Sequence, residues 1–305
     1  MPLHTVAPSR RSFLTQGAIA VAGLTVVRYG WADQPGSDPN LFALLSDTHI
    51  PDSPDVAVRE TNMAANLTQV VQEVSQLVAR PAGVIINGDC AYLKGLAADY
   101  ANFAQRIGPL SDCGLPVHLT MGNHDDRAQL YATLQSQQPA QAVVESKHVT
   151  VIESPRANWF LLDSLHEVNV VTGKLGAAQR DWLDRSLATR TTKPAIVMVH
   201  HNPQFEPPVD GKPWTGVQDT AELMELLAGH KQVKALIFGH SHNWSIARHG
   251  DLHLVNLPPV AYVFAAGKPN GWVRAEVLED GLALELRAID PAHKQHGERV
   301  TLAWA

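Results

Sequence analysis

The sequence predicts an α/β fold in which two packed β-sheets are flanked by helices, forming a four-layer αββα sandwich. Up to about residue 190, short apolar runs of strand length alternate with segments whose apolar residues recur at helical spacing. After residue 252 the pattern is mainly that of strands, with turn signals at Pro258-Pro259 and Asp280-Gly281. Such a pattern is typical of layered sheets covered by helices. With 305 residues and 45% hydrophobic content, the chain can fill the core of one large domain.

The first elements form a strand–helix–strand unit. Residues 41–45 are an apolar run of strand length, and residues 57–79 carry apolar side chains at helical spacing. Val84-Ile85-Ile86 indicates a second buried strand, which stops at Asn87-Gly88-Asp89. Strands joined by a crossover helix run parallel, so we expect their carboxyl ends to meet at one edge of a sheet, where ligands bind.

The same alternation continues along the chain. Further helices are predicted at 96–107, 127–137, 179–187 and 221–228, and further strands at 116–121, 149–152, 159–162, 195–199 and 235–238. No shift in composition marks a second domain. We therefore predict a polar linker at 33–40 followed by a single domain at 41–305.

Residues 1–32 predict an export signal that is removed. Ser9-Arg10-Arg11-Ser12-Phe13-Leu14 precedes an apolar stretch at 17–27 and the small residues of Gly30-Trp31-Ala32. The paired arginines resemble a twin-arginine signal, which implies the twin-arginine export machinery as a partner and a periplasmic or extracellular location. That pathway carries folded proteins, often with a cofactor inserted. The alternative is an amphipathic first helix, but the apolar run has no polar face.

The charge of the chain argues against several classes of partner. Loss of residues 1–32 would remove three arginines and no acid, leaving 21 basic against 30 acidic residues and a net charge of −9. A protein this acidic is poorly suited to nucleic-acid backbones or anionic membranes. No later apolar run approaches the ~20 residues needed to span a bilayer, so we expect no stable membrane anchor.

Polar side chains follow five of the predicted strands where those strands end: Asp47 and His49, Asp89, Asn123 and His124, His200, and His240 and His242. Each has an ordinary explanation as a turn residue or a hydrogen-bonded histidine, but their recurrence at successive strand ends indicates a shared site. Extended backbone would direct the i and i+2 side chains of Asp47/His49 and of His240/His242 to one side. Carboxylates, imidazoles and an amide oxygen without thiolates suit Mn, Fe or Zn. The set is too large for one ion, so we predict two, which need a bridging carboxylate.

These blocks resemble those of the calcineurin-like metallophosphoesterase superfamily, in the same order and over residues 41–245. The resemblance implies a two-sheet sandwich with two divalent or mixed-valence metal ions. Asp47, His49 and His242 would hold the first ion, Asn123, His200 and His240 the second, and Asp89 both. His124 would be catalytic, binding the phosphoryl group or protonating the leaving oxygen, while a hydroxide bridging the metals attacks phosphorus.

The resemblance implies an exported phosphoesterase that hydrolyses phosphomonoesters or phosphodiesters of small molecules. Two alternatives stay open: a nucleotide pyrophosphatase or phospholipid phosphodiesterase using the same site, and a non-catalytic metal-binding relative. The aromatic residues in the segments 204–216 and 257–269, among them Tyr262 and Phe264, are candidates for choosing the substrate. Those two rings either stack on a base or simply pack.

Four further residues are candidates for supporting roles. His201 follows His200 directly, and the family pattern favours His200 as the ligand, with His201 pointing away or toward substrate. Tyr92 matches the Gly-Asp-x-x-Tyr block of purple acid phosphatases, but His49 already fills the position that the tyrosine takes there, so Tyr92 is predicted to pack or to lie behind the ligands. Asp125 and Arg127 resemble the block of bacterial cyclic-nucleotide and glycerophosphodiester phosphodiesterases.

Within that block, a carboxylate could orient His124, whereas Asp126 could equally cap the next helix. Arg127 is either a contact for the substrate phosphate or a solvated helix residue.

Overall fold

The computed structural model describes residues 26–27, 36–209 and 211–304. The predicted signal at 1–32 lies outside these residues except for Val26–Val27. In chain order the strands are β1 (Val26–Val27), β2 (Ser37–Ser46), β3 (Ala57–Val58), β4 (Thr61–Asn62), β5 (Arg80–Asn87), β6 (Val117–Thr120), β7 (Thr150–Glu153), β8 (Asn158–Leu161), β9 (Ala195–Met198), β10 (Val233–Phe238), β11 (Ser245–His249), β12 (Leu252–Asn256), β13 (Gly271–Val277), β14 (Gly281–Ala288) and β15 (Arg299–Ala303). The helices are α1 (Met63–Ser75), α2 (Ala97–Asp112), α3 (Arg127–Thr133), α4 (Ala177–Ala188) and α5 (Thr220–Ala228).

Two large sheets contain most of these strands. One has the order β15-β14-β13-β2-β5-β6 and the other the order β1-β7-β8-β9-β10-β12-β11. β2, β5 and β6 run parallel, and so do β8, β9, β10 and β12. Each sheet therefore brings the carboxyl ends of several consecutive strands to one edge, as the strand–helix–strand pattern predicts.

The hydrophobic core has three layers. Between the sheets, Phe42 and Ile85 of one sheet share a cluster with Trp159, Ile196 and Ile237 of the other. The opposite face of the first sheet packs against α1 and α2, and that of the second packs against α4 and α5. The predicted two-sheet sandwich flanked by helices is confirmed.

The predicted linker at 33–40 is wrong in part, because β2 begins at Ser37. Ser37 and Asp38 pair with Arg80 and Pro81, and the register then shifts before Phe42. These polar residues carry no apolar periodicity, so the sequence gives no sign that they extend the strand. Among the described residues, no helix is long and apolar enough to cross a membrane.

Candidate metal centre

The polar residues that follow β2, β5, β6, β9 and β10 meet where the two sheets face each other. The first sheet supplies Asp47, Asp89 and Asn123, and the second supplies His200 and His240. The ligand atoms of four groups of side chains each lie within 4.8 Å of one another: Asp47, His49 and His242; Asp47, Asp89 and His200; His49, Asp89 and His124; and His200, His201 and His240. The strand ends therefore assemble a single cluster of carboxylates and imidazoles.

The backbone that brings these side chains together differs from our prediction. Asp47 and His49 have φ of 52° and 46°, and His240 and His242 have φ of 65° and 50°. Both i, i+2 pairs converge, but through left-handed turns rather than extended backbone. Asp89 also has a positive φ, 49°. Non-glycine residues rarely adopt this conformation, and such residues concentrate at functional sites.

Asp47, His49 and His242 form one half of the cluster. The Nε2 atoms of His49 and His242 are 2.9 Å apart, and His242 Nε2 is 3.4 Å from Asp47 Oδ1. Two imidazole nitrogens and a carboxylate oxygen so close together match the spacing of donor atoms around a shared cation.

Asp89 lies between the two halves. Its Oδ2 is 3.6 Å from His49 Nε2 and 3.3 Å from His200 Nε2, while its Oδ1 accepts a hydrogen bond of 2.9 Å from the backbone N–H of His124. The predicted bridging carboxylate therefore reaches ligands of both predicted sites.

The Nδ1 atoms of two predicted ligand histidines contact backbone carbonyl oxygens. His200 Nδ1 lies 2.8 Å from the carbonyl oxygen of Asn87, and His242 Nδ1 lies 2.5 Å from that of Tyr262. A carbonyl only accepts, so each Nδ1 carries a proton, and Nε2 is left as the ring atom directed at the cluster. This arrangement orients ligating histidines in metal sites.

Unpartnered polar atoms indicate what the second half of the cluster accommodates. Asn123 Oδ1, His200 Nε2 and His201 Nε2 are buried without a hydrogen-bond partner. Leaving such atoms unpaired is unfavourable, and coordination of a cation would satisfy all three. The residues present therefore fit the metal ions that the sequence predicts.

The electrostatics of the cluster keep its carboxylates ionised. Burial raises the pKa of Asp47 and of Asp89, but His200 together with the other neighbouring histidines brings both pKa values below their ordinary value. Burial lowers the pKa of His49 to about 3 and, together with His200, that of His240 to about 4. These two imidazoles are neutral at pH 7, the state in which a histidine binds a metal.

Two glycines allow the strand ends to approach this closely. A Cβ at Gly122 would lie 2.1 Å from Asp89 Oδ1, and one at Gly239 would lie 2.6 Å from Asp47 Oδ2. Each glycine directly precedes a predicted ligand, Asn123 or His240. Neither position has room for a side chain while the carboxylates keep their places.

His124 lies beside the cluster and, like His240, is half-buried, whereas the other predicted ligands are buried. Its Nδ1 is 2.7 Å from the carbonyl oxygen of Leu93, so it carries the proton. A ring nitrogen of His124 lies within 4.8 Å of donor atoms of His49 and Asp89. Its Nε2 is therefore the atom available to a group bound at the centre.

Asp125 does not orient His124. Its Oδ1 accepts hydrogen bonds from the N–H groups of Cys90 and Ala91 and from the hydroxyl of Tyr100, and its Oδ2 accepts one from Gly122 N–H. The carboxylate instead fixes the loops that follow β5 and β6. Asp126 caps α3, as the alternative interpretation holds, by accepting from Gln129 N–H.

Arg127 is paired with a buried carboxylate and is not a solvated helix residue. Its Nε and Nη2 donate to the two carboxylate oxygens of Asp163 at 2.6 and 2.7 Å, and Nη2 also donates to the carbonyl of Leu165. All of this occurs behind the centre, where Asp163 is completely buried. The prediction of a solvated helix residue is therefore wrong, whereas the phosphate contact stays a prediction.

Tyr92 and His201, the other two candidates for supporting roles, differ in how deeply they are buried. Tyr92 is partly buried and packs against the core beneath α1 and α2. His201 does not point away from the centre: it is completely buried, and its ring centroid is 4.5 Å from that of His240. Its Nδ1 is 2.7 Å from Ser164 Oγ.

Several residues that shape the centre carried no signal in the sequence. Ser46 Oγ donates to Asp47 Oδ2, Ser164 holds His201, and Asn87, Leu93 and Tyr262 act through their carbonyl oxygens. A backbone carbonyl is the same for every residue type, so no pattern of side chains could identify these three.

The fold and the site together define a metal-dependent hydrolase of phosphate esters. Bound metal ions would supply an activated water and neutralise negative charge on a phosphoryl group. The chain itself provides ionised carboxylates, neutral imidazoles at His49 and His240, and rings held by backbone carbonyls at His200 and His242. A further imidazole, that of His124, can hold or deliver a proton next to the bound group.

Comparison with known proteins names the family. The model of the calcineurin-like phosphoesterase family matches residues 41–244, and the chain belongs to that family. Its relatives include the 3',5'-cyclic adenosine monophosphate phosphodiesterase CpdA of Pseudomonas aeruginosa, 26% identical over 240 residues that cover 77% of this chain and 82% of the relative. A cAMP/cGMP dual specificity phosphodiesterase of Mycobacterium tuberculosis is 29% identical over 216 residues, which cover 69% of this chain and 64% of the relative.

A solved structure shows the same fold. A dimetal phosphatase from Danio rerio superimposes with a TM-score of 0.67 at 17% identity, covering 88% of this chain and 100% of that chain.

Proposed function

We propose that this protein is a phosphodiesterase in which water attacks the phosphorus of a small phosphodiester and one ester oxygen leaves as an alcohol, without a covalent enzyme intermediate. The observation that carries the proposal is the position of His124, whose backbone N–H donates to Asp89 Oδ1 and whose ring lies within 4.8 Å of donor atoms of the cluster. A protein that only stored metal would not need an imidazole beside a complete set of ligands. A hydrolase needs a proton donor there for the leaving oxygen.

The relatives support a diester over a monoester. Both bacterial relatives described above are named as cyclic-nucleotide phosphodiesterases. Hydrolysis of either kind of ester expels an alkoxide of a sugar or alcohol, and such a poor leaving group gains from protonation by an imidazole. The metal ligands alone do not distinguish diesters from monoesters, since both present the same phosphoryl oxygens.

The test compares two substitutions on purified protein loaded with Mn²⁺. We expect Asp89→Ala to abolish hydrolysis of 3',5'-cAMP and to lower the metal content, because the shared carboxylate is lost. His124→Ala should lower kcat by about 100-fold or more at unchanged metal content. His230→Ala is the control, since that histidine pairs with Asp184 on the surface.

Three results would contradict the proposal. Undiminished turnover in both variants would exclude the site, and loss of metal in His124→Ala would make that residue a ligand. Faster hydrolysis of phosphomonoesters than of any diester, measured on the same samples, would make the protein a phosphatase instead.

We also propose that the protein is exported through the twin-arginine pathway. Arg10 and Arg11 precede an apolar stretch, and a protein that acquires its metals during folding would benefit from export in the folded state. Cell fractionation of a protein with Arg10→Lys and Arg11→Lys tests this. We expect the double variant to accumulate inside the cell, whereas an unchanged distribution would contradict the proposal.

A further inference from the structure

A short stack of rings leads from the metal centre to solvent. The ring of Phe264 lies 4.3 Å from that of His242 at an interplanar angle of 20°. Tyr262 lies 5.4 Å from His49 at an angle of 27°. Tyr262 is partly buried against the core, but Phe264 is 55% exposed. The two aromatic residues therefore differ: Tyr262 packs, and Phe264 presents a ring surface at the mouth of the centre.

The segment that carries Phe264 is held firmly to the centre. The N–H groups of Val260 and Ala261 donate to the carbonyl oxygens of Ser46 and Asp47, at 2.8 and 3.0 Å. The carbonyl of Tyr262 accepts from His242 Nδ1. The position of the ring is thus coupled to that of the ligands rather than to a free loop.

A guanidinium lies over the same ring. Arg59 Cζ is 5.4 Å from the centroid of Phe264. Arg59 is exposed, and among the residues that the structure describes no carboxylate forms an ion pair with it. A cation with no anionic partner beside an exposed aromatic face is available to a ligand.

The backbone around Arg59 is unusual. β3 and β4 pair through Val58 and Thr61, and the two residues between them, Arg59 and Glu60, have φ of 50° and 63°. Such hairpin turns favour asparagine and glycine, because other residues are strained at positive φ. A strained arginine at the tip of this hairpin points to a role outside folding.

We infer that Phe264 and Arg59 form a subsite for the planar base of a nucleotide substrate. The inference rests on the proposed function. Only the ring of His242 separates Phe264 from the predicted metals, so a phosphate at the centre would place a base joined through one sugar against Phe264. His242 already stacks on Phe264 and Arg59 lies over the ring, so a base would enter between Phe264 and the guanidinium or against the edge of the ring. In either place it would contact the aromatic ring and the guanidinium together. An alkyl group would gain nothing from Arg59.

The test measures binding of two reaction products, AMP and glycerol 3-phosphate, to the Mn²⁺-loaded protein by calorimetry. Both carry a phosphate monoester, but only AMP carries a base. We expect Phe264→Ala to weaken AMP binding about 10-fold, or about 1.4 kcal/mol, and Arg59→Gln to weaken it several-fold. Neither should change the Kd for glycerol 3-phosphate by more than about 2-fold, and Phe264→Trp should restore AMP binding.

Phe205→Ala is the matched control. Phe205 lies in the segment 204–216, whose aromatic residues the sequence offers as candidates for choosing the substrate, but the structure stacks it at 4.8 Å on His249 of β11, which is not a predicted ligand. Like Phe264, Phe205 is exposed, at 49%. We expect this variant to bind AMP as the wild type does.

The inference would be overturned by equal losses for both ligands, by unchanged AMP binding in Phe264→Ala, or by a wild-type protein that binds AMP no more tightly than glycerol 3-phosphate. An effect of Phe205→Ala as large as that of Phe264→Ala would also overturn it. Product binding needs no turnover, so failure of the wild type to hydrolyse any diester would refute the proposed function while leaving this test decisive.

Discussion

Asp163 organises the wall behind the metal centre. Besides its two bonds from Arg127, its side chain accepts from the backbone N–H groups of His148 and Leu165. Lys147 donates to the carbonyl oxygens of Asp163 and Leu165. The carboxylate is completely buried, whereas the Arg127 side chain is 22% exposed. Arg127 therefore neutralises an acid that would otherwise be buried without a counter-charge.

This arrangement predicts that Arg127→Gln acts on stability and not on substrate binding. Removing one partner of a buried ion pair leaves the other uncompensated, and we expect the free energy of unfolding to fall on the order of 3 kcal/mol. Urea denaturation measures this change, and steady-state kinetics on 3',5'-cAMP should give an unchanged KM. A large rise in KM at unchanged stability would return Arg127 to the role of a phosphate contact.

Residue types and their positions predicted which side chains gather, but not what orients them. Asp47, Asp89 and His200 could be predicted as site residues because each follows an apolar run. The order of strands in an α/β sheet directs such residues to one edge. Arg127 was misjudged because its partner, Asp163, lies 36 residues away in sequence with no periodicity linking the two.

At the scale of the elements, the predicted metal ligands lie in the loops that follow the strands and not on the strands themselves. β2 and β10 end at Ser46 and Phe238, and the ligands follow in left-handed turns. Such turns need close approach of neighbouring loops, which Gly122 and Gly239 permit. The cluster thus depends on two positions that carry no functional side chain.

We therefore expect Gly122→Ala and Gly239→Ala to disrupt metal binding. A methyl group at either position overlaps a predicted ligand carboxylate, so Asp89 or Asp47 must move. Metal content measured by mass spectrometry should fall sharply, and hydrolysis with it. Gly108→Ala is the control: Gly108 lies within α2 with nothing within 4 Å of an added Cβ. There alanine should leave the metal content unchanged. Equal metal content in all three variants would contradict the argument.

Helices and parallel strands were predictable from periodicity, whereas the order of the strands was not. α1 and α2 bury residues at helical spacing, such as Leu67, Val71, Phe103 and Ile107. By contrast, β2 lies between β5 and β13, and its partner in β13 is more than 200 residues away in sequence. Pairing over that distance depends on the packing of the whole sheet, which a local pattern does not encode.

For the whole molecule, the metal centre joins the two sheets. Carboxylates and an amide come from one sheet, and His200 and His240 come from the other. The apolar cluster between the sheets lies beneath and fixes their spacing. Stability and function therefore depend on the same interface between the sheets. Histidines outside this interface also contribute to the pH dependence of stability.

His118 on β6 should account for part of the loss of folding stability in acid. Burial, with a smaller effect of the neighbouring His148, lowers its pKa to about 4 from an ordinary value of 6.5. Between these two values the unfolded chain binds a proton that the folded protein does not. Stability contributed by the neutral ring is thus complete above pH 6.5 and is lost as the pH falls toward 4. The full loss is on the order of 3 kcal/mol.

We expect His118→Phe to flatten the decline of unfolding free energy between pH 7 and pH 4.5. Urea denaturation of both proteins measures the difference in the slope of unfolding free energy against pH. A chelator is present throughout, so that metal binding does not contribute to the slope. His249→Phe, at an exposed position, should follow the wild-type curve. Parallel curves for His118→Phe and the wild type would show that His118 takes up its proton equally in both states, because only a difference in proton uptake between the folded and unfolded chain produces a slope.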